Sequence, residues 1–278
     1  MSKVWFITGA ARGIGMQVAK TALAAGDKVA VTGRNVEQLV EAYSAFGSDA
    51  LPLRLDVANE AEAEAAANTA IAHFGRIDVL LNNAGFGQLG LFEEIGSSAV
   101  VNQFNTNVFG LFNVTRVILP IMRSQRTGHI MNVSSIGGSL GFAGSTIYCA
   151  TKFAVEGFSE SLAQEVEQFG IKVSIVAPGF VRTDFLDNSS VRYGDKSIED
   201  YAALSAQIRS TYDSYSHKQA GDPSKLAAAI VILSQQTEPP LRLLTGSDAV
   251  EMANAKLERI KIEVDKWHDL SVSTDITE

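Results

Sequence analysis

The tightest constraint on this chain lies at its start. An apolar run at residues 4–8 meets a glycine-rich turn, Thr8-Gly9-Ala10-Ala11-Arg12-Gly13-Ile14-Gly15, and a helical pattern follows at once. A short apolar run without alternation reads as a strand buried on both faces. A helix directly after it packs back across the sheet, so the next strand lies parallel to the first. The unit then repeats. Helical spacing at 14–25 closes at Gly26, and a strand at 28–32 precedes a helix at 36–46 that Asn35 caps and Gly47 ends. A third strand at 51–55 leads to an Ala- and Glu-rich helix at 59–74, closed by Gly75, and then to a fourth strand at 77–81. Residues 97–123 carry a long helical pattern that Pro120 should kink or break near its end. Strands at 129–133, 171–177 and 241–244 complete a set of seven, with helices at 147–169 and 223–234, the latter capped by Asp222 with Pro223 in its first turn. Helical spacing returns at 247–267, before a loose tail at 269–278. The pattern predicts an α/β chain with a parallel sheet and helices on both faces.

With 278 residues, 46% of them hydrophobic, the chain can bury one large core. It has no internal repeat or low-complexity linker, so residues 1–278 are expected to form a single domain. The net charge of -8, without a basic run, argues against nucleic acid as a partner. No stretch resembles a signal peptide or a membrane span, and the one cysteine, Cys149, fits a reducing cytoplasm. His73, His129, His217 and His268 are scattered, so no metal is expected.

The chemistry gathers at Ser135 and at Tyr148-Cys149-Ala150-Thr151-Lys152. Tyr148 and Lys152 are one helical turn apart and share a face. A phenol titrates near pH 10, and an ammonium beside it favours the phenolate. A hydroxyl from Ser135 could orient a substrate oxygen, which makes this stretch a candidate acid/base group for hydride transfer. The glycines at 9, 13 and 15 let a pyrophosphate approach the start of a helix, although their spacing differs from GxGxxG and a tight turn alone would also explain them. The second strand ends at Arg34, where an NAD site would place an acid. With Arg12 in the turn, two cations favour a 2′-phosphate, hence NADP(H) over NAD(H), though either could be an ordinary surface arginine. Asp56 and the Val57 backbone could meet an adenine amino group, or Asp56 could simply cap the next helix. Asn82 could hold the loop backbone at the crevice edge, and Ala84 and Gly85 allow close approach of the cofactor riboses.

Together TGAARGIG (8–15), NNAG (82–85), NVFG (107–110), NVSS (132–135), YCATK (148–152) and PGFVRT (178–183) resemble the short-chain dehydrogenase/reductases over roughly residues 3–245. The resemblance implies a Rossmann-like, doubly wound seven-stranded parallel sheet, NAD(P)(H), and interconversion of a carbonyl and an alcohol. It implies Tyr148 as acid/base, Lys152 as its pKa-lowering partner on the nicotinamide ribose, and Ser135 rather than Ser134 as the orienting hydroxyl. Asn107 matches the residue holding a relay water. Gly9, Gly13, Ile14, Gly15, Asn83, Ala84, Gly85, Pro178, Gly179, Thr183 and the Val181 backbone match cofactor contacts, and Arg12 and Arg34 match the basic positions of NADP-preferring members. The competing reading is an NADP(H)-binding redox sensor without catalysis, which loss of any catalytic residue would have favoured.

Pro239-Pro240-Leu241-Arg242 and a helical extension at about 247–278 replace the short apolar tail of the tetrameric members. That puts a tetramer in doubt, leaves a homodimer through the helices at 97–123 and 147–169, and hints at the hydroxysteroid and retinoid dehydrogenase side of the family. Residues 181–219 read as a lid-like excursion. Phe86, Gln88, Leu89, Leu91, Gly137, residues 140–142, Phe180, Phe185 and Leu186 should face substrate. Their apolar character points to a hydrophobic carbonyl compound or its secondary alcohol.

Overall fold

Strand β1 (Val4–Ile7) is buried along its whole length, as a strand covered on both faces must be. In the computed structural model, residues 2–187 and 190–276 are described; Met1, residues 188–189 of the expected excursion and 277–278 of the expected extension lie outside the described residues. From β1 the chain passes through α1 (Gly13–Ala24), β2 (Lys28–Gly33), α2 (Val36–Tyr43), β3 (Ala50–Arg54), α3 (Glu60–Phe74) and β4 (Val79–Asn82). The two-residue β5 (Gly87–Gln88), α4 (Ser97–Phe104), α5 (Gly110–Gln125), β6 (Gly128–Val133), α6 (Thr146–Val166) and β7 (Ile171–Pro178) follow. Last come β8 (Val191–Arg192), α7 (Ala202–Tyr215), α8 (Pro223–Ser234), β9 (Arg242–Thr245) and α9 (Ser247–Val272).

Seven strands form one parallel sheet in the order β3-β2-β1-β4-β6-β7-β9. From β1 the chain winds outward to β2 and β3, then crosses back to β4 on the other side. A crevice therefore opens at the carboxyl ends of β1 and β4. One face of the sheet is covered by α1, α2 and α8 through Val18, Leu39 and Ile230, the other by α3, α5 and α6 through Ala66, Ile118 and Leu162. This is the expected doubly wound α/β domain. Several caps also fall where the sequence places them. Asn35 accepts from the amide of Gln38, Gly75 closes α3 at φ 79, and Asp222 accepts from the amides of Ser224 and Lys225. Among the described residues no helix is long and apolar enough to cross a membrane.

Three boundaries differ from expectation. Pro120 does not break its helix: α5 runs through it, with Pro120 exposed where water can satisfy the carbonyls it frees. The interruption comes earlier, at a π-helical turn, Asn105–Phe109, between α4 and α5. The helix expected at 36–46 ends at Tyr43 and passes into a 3-10 turn, with Gly47 at φ 56. The tail is not loose from residue 269, because neither proline nor glycine stops α9 before Val272.

Residues 183–219 leave the end of β7 and return to it. The return is pinned where Val181 bridges Gly221 and Arg182 Nε donates to the Gln219 carbonyl at 2.9 Å. Farther out, β8 pairs with β5, and buried Glu94 accepts from Ser205 Oγ at 2.5 Å and from the Ile198 amide at 3.3 Å.

Candidate active site

A cleft of about 1010 Å³ follows the carboxyl ends of the strands from Arg34 to Tyr212. Of the residues assigned to cofactor or catalysis from the sequence, Gly15, Asn82 and Asn107 are off its wall.

At the β1–α1 turn Gly9 and Gly13 take φ values of 66° and 58°, which favour glycine. A Cβ on Gly13 would meet nothing within 4 Å, so the turn is open to the cleft there. Gly15 has another purpose: a Cβ on it would lie 2.5 Å from both the Gly9 carbonyl and Asn83 Nδ2. Asn83 Nδ2 donates to the carbonyls of Thr8 (3.0 Å) and Gly9 (3.1 Å), while Thr8 Oγ1 accepts from the amides of Asn83 and Ala84. The loop-holding role expected of Asn82 therefore belongs to Asn83. Asn82 points sideways beneath the site, donating to Thr115 Oγ1 and Asn132 Oδ1, both at 2.9 Å.

Helix α1 starts at Gly13 with no side-chain cap and no acid in its first turn. Its free amides and positive dipole end suit an anion such as a pyrophosphate, so the turn fits the dinucleotide that the motifs imply. Arg12 and Arg34 are both exposed on the rim, and Arg34 has no hydrogen-bond or ionic partner among the described residues. Asp56 Oδ1 accepts from the Ala58 amide at 3.1 Å, and Val57 sits beside it on the wall.

At the other end, α6 presents Tyr148 and Lys152 one turn apart. Lys152 Nζ donates to the Val133 carbonyl at 2.8 Å and lies 5.7 Å from the centre of the Tyr148 ring. Ser135 Oγ accepts from the Gly137 amide at 3.0 Å. Burial pushes the Tyr148 phenol up to about 12, with the Ser135 hydroxyl pulling partly against it. Burial pushes the Lys152 ammonium down to about 8, with the charge of Glu156, one turn farther along, opposing. Loss of hydration dominates, and the ammonium is aimed at the Val133 carbonyl. Near neutrality the phenol keeps its proton and can donate it.

Asn107, carried inward by the π-helical turn, is buried. Its Oδ1 accepts from the Phe86 amide at 3.1 Å; its Nδ2 donates to the Phe86 carbonyl at 3.0 Å and to Thr151 Oγ1 at 3.2 Å. The side chain braces the loop after β4 against α6.

Phe86, Gln88, Leu89, Gly137, Phe142, Phe180, Phe185 and Leu186 also line the cleft, whereas Leu91, Leu140 and Gly141 do not. Phe185 packs on Tyr148 with ring centres 5.5 Å apart. Tyr193 and Tyr212 also line the wall, from the excursion, and the Tyr212 hydroxyl lies 2.6 Å from Ser145 Oγ at the start of α6. Sequence reasoning missed these contacts because the partners are 67 residues apart.

It missed Asp248 for the same reason. From the first turn of α9, Asp248 Oδ2 accepts from the Phe180 amide at 2.8 Å, and a Cβ on Gly179 would fall 2.2 Å from Oδ1. An acid there looks like an ordinary helix-dipole partner in sequence. Asp184, Asp187 and His217 also converge, with ligand atoms within 4.8 Å of one another. The 2.8 Å contact of His217 Nε2 with Asp187 Oδ1 accounts for the group as a tie across the excursion.

A family model described as short chain dehydrogenase matches residues 3–193. The oxidoreductase BOA17 of Botryotinia fuckeliana is 40% identical over 275 residues, covering 99% of this chain and 100% of that one. A 3-ketodihydrosphingosine reductase of Bacteroides thetaiotaomicron is 38% identical over 88% of each chain. Among solved structures, a short-chain dehydrogenase from Streptomyces avermitilis superposes with a TM-score of 0.91 at 40% identity, over 99% of this chain and 100% of that one. A Burkholderia phymatum relative holds NAD (TM-score 0.83, 25% identity, 94% and 95% covered). The protein ElxO holds NADP (TM-score 0.73, 29% identity, 88% and 96% covered).

Proposed function

The chain belongs to the short chain dehydrogenase family, and from that premise we propose that it is an NADP(H)-dependent oxidoreductase reducing a ketone on a hydrophobic substrate to a secondary alcohol. The observation that carries this reading is the Tyr148 phenol beside Ser135, in a cleft whose wall there carries Phe142, Phe180, Phe185, Tyr193 and Tyr212.

The glycine turn, the α1 amino end, Asp56, Val57, Ala84, Gly85, Pro178, Gly179, Val181 and Thr183 would hold the dinucleotide. Arg12 and Arg34 would take a 2′-phosphate, which Arg34, with no acid beside it at the β2 end, favours. When bound, the nicotinamide supplies the hydride to the carbonyl carbon. The Ser135 and Tyr148 hydroxyls hold the carbonyl oxygen in advance and stabilise the charge that grows there. Tyr148 then passes its phenolic proton to that oxygen. Lys152, on the Val133 carbonyl, supplies positive charge below the phenol, and Asn107 braces the wall opposite. The 181–219 excursion, which contributes Phe185, Tyr193 and Tyr212, serves as the lid. The single buried Cys149 fits a reducing cytoplasm.

The test is NADPH oxidation by the purified protein across ketones, aldehydes, quinones and steroids, including long-chain 3-keto amines like the substrate named for the Bacteroides relative. Turnover of a hydrophobic ketone is expected. No turnover of any carbonyl or alcohol with either nicotinamide cofactor, in protein that still binds NADPH, would leave the sensor reading instead.

A further inference from the structure

Helix α9 leaves the body of the protein after about three turns. Ala249 is buried, and Met252, Ala253 and Lys256 are half-buried, but every described residue from Leu257 onward is exposed. The free part, residues 257–272, is about 24 Å long at ~1.5 Å per residue. A single helix of that length is marginal in water unless it packs on something.

Helix α9 carries a seam. Val250, Ala253, Leu257, Ile260, Val264 and Trp267 recur at alternating steps of three and four, the a and d positions of a coiled coil. Leu257 is 63% exposed, Ile260 40%, Val264 60% and Trp267 54%, values that leave the face open to a partner. We propose that this seam pairs antiparallel with α9 of a second copy of the chain, about a twofold axis between Glu258 and Arg259.

Charge selects both the occupant and the direction. In the antiparallel register Leu257 meets Ile260 of the second copy, Val250 meets Trp267, and small Ala253 meets Val264. Lys256 then flanks the seam opposite Glu263 of the second copy, and by symmetry the pair occurs twice. Glu263 is held within its own helix only by Arg259 at 3.8 Å. A parallel pair would instead set Lys256 beside Lys261 of the other copy. Residues 247–272 hold six acidic and four basic residues, whereas a helix that lies on an anionic membrane has a Lys- and Arg-rich polar face.

The experiment uses the full chain. Val250→Cys and Trp267→Cys variants are made singly and also coexpressed, then oxidised; buried Cys149 does not compete. Coexpressed variants should cross-link between copies, and neither should cross-link alone, because each position lies about 25 Å from its own twin in this register. Self-cross-linking of Val250→Cys, or no cross-link in any folded sample, overturns the proposal. In sedimentation equilibrium, Lys256→Glu and Glu263→Lys should each weaken self-association several-fold, and the double exchange should restore it. If all three associate alike, or if wild-type protein binds anionic vesicles and Leu257→Asp abolishes that binding, the seam has another occupant.

Discussion

Asp248 and Phe180 are joined by a 2.8 Å hydrogen bond from the Phe180 amide to the Asp248 carboxylate. The bond links the first turn of α9 to the end of β7 and the loop after it, where Pro178, Gly179 and Val181 line the cleft. It makes the last helix part of the site's support.

Asp248→Ala leaves the Phe180 amide without its acceptor, a loss of about 1–3 kcal/mol. The expected outcome is a lower melting temperature together with weaker NADPH binding in protein that is still folded, read by fluorescence titration. Asp248→Asn, which keeps an acceptor oxygen, should recover most of the binding. A fall in melting temperature with unchanged affinity would confine Asp248 to stability.

Tyr148→Phe removes the proton donor while leaving the ring against Phe185. Turnover should fall by about 10²–10⁴-fold or more, with NADPH affinity near normal. Appreciable residual rate would sink the acid/base assignment. Because burial holds the phenol up to about 12 and the Lys152 ammonium down to about 8, ketone reduction should lose rate near pH 8 through Lys152, well before Tyr148 ionises. A profile flat to pH 10 would remove Lys152 from that limb.

Arg34→Asp places an acid where a ribose 2′-hydroxyl would lie and removes the partner of a 2′-phosphate. Preference should swing toward NAD(H), measured as the ratio of kcat/KM for the two cofactors. An unchanged ratio would show that Arg34 makes no contact with the cofactor.

His129 is buried, with Nε2 2.9 Å from Ser174 Oγ, and burial holds it down to about 3. Its folded pKa is depressed, so below about pH 6.5 the unfolded chain takes up a proton that the folded chain refuses. The stabilisation is complete above about pH 6.5 and is lost as pH falls toward 3. His129→Gln should flatten the melting temperature between those limits, and an unchanged acid slope would rule this residue out as a cause.

The excursion supplies Tyr193 and Tyr212 to the cleft wall and is held there by contacts such as Tyr212 to Ser145. Hydrogen exchange in α7 should slow when NADPH and substrate bind. Equal exchange in both states would argue against a lid.

Much of this protein follows from its residues in order. Unbroken apolar runs such as 4–7 and 79–81 can only be strands covered on both faces, and the helices between them force a parallel sheet. The glycine turn, Ser135, Tyr148 and Lys152 were legible because their spacing is local and each sits at a strand end or on one helical turn. What the sequence left open were relations across the chain. The direction of the Tyr148 shift depended on how much water the walls exclude, and loss of hydration outweighed the hydrogen bond with Ser135. Asn83 rather than Asn82 holds the glycine turn, because alternate residues of a strand point to opposite faces and only the fold says which side carries the loop. The π-helical turn that turns Asn107 inward, and the reach of Asp248 back to Phe180, arise from packing between distant segments. Local pattern determined the elements and the chemistry they could carry; three-dimensional proximity decided which groups lose their water, which support others, and which remain free to react.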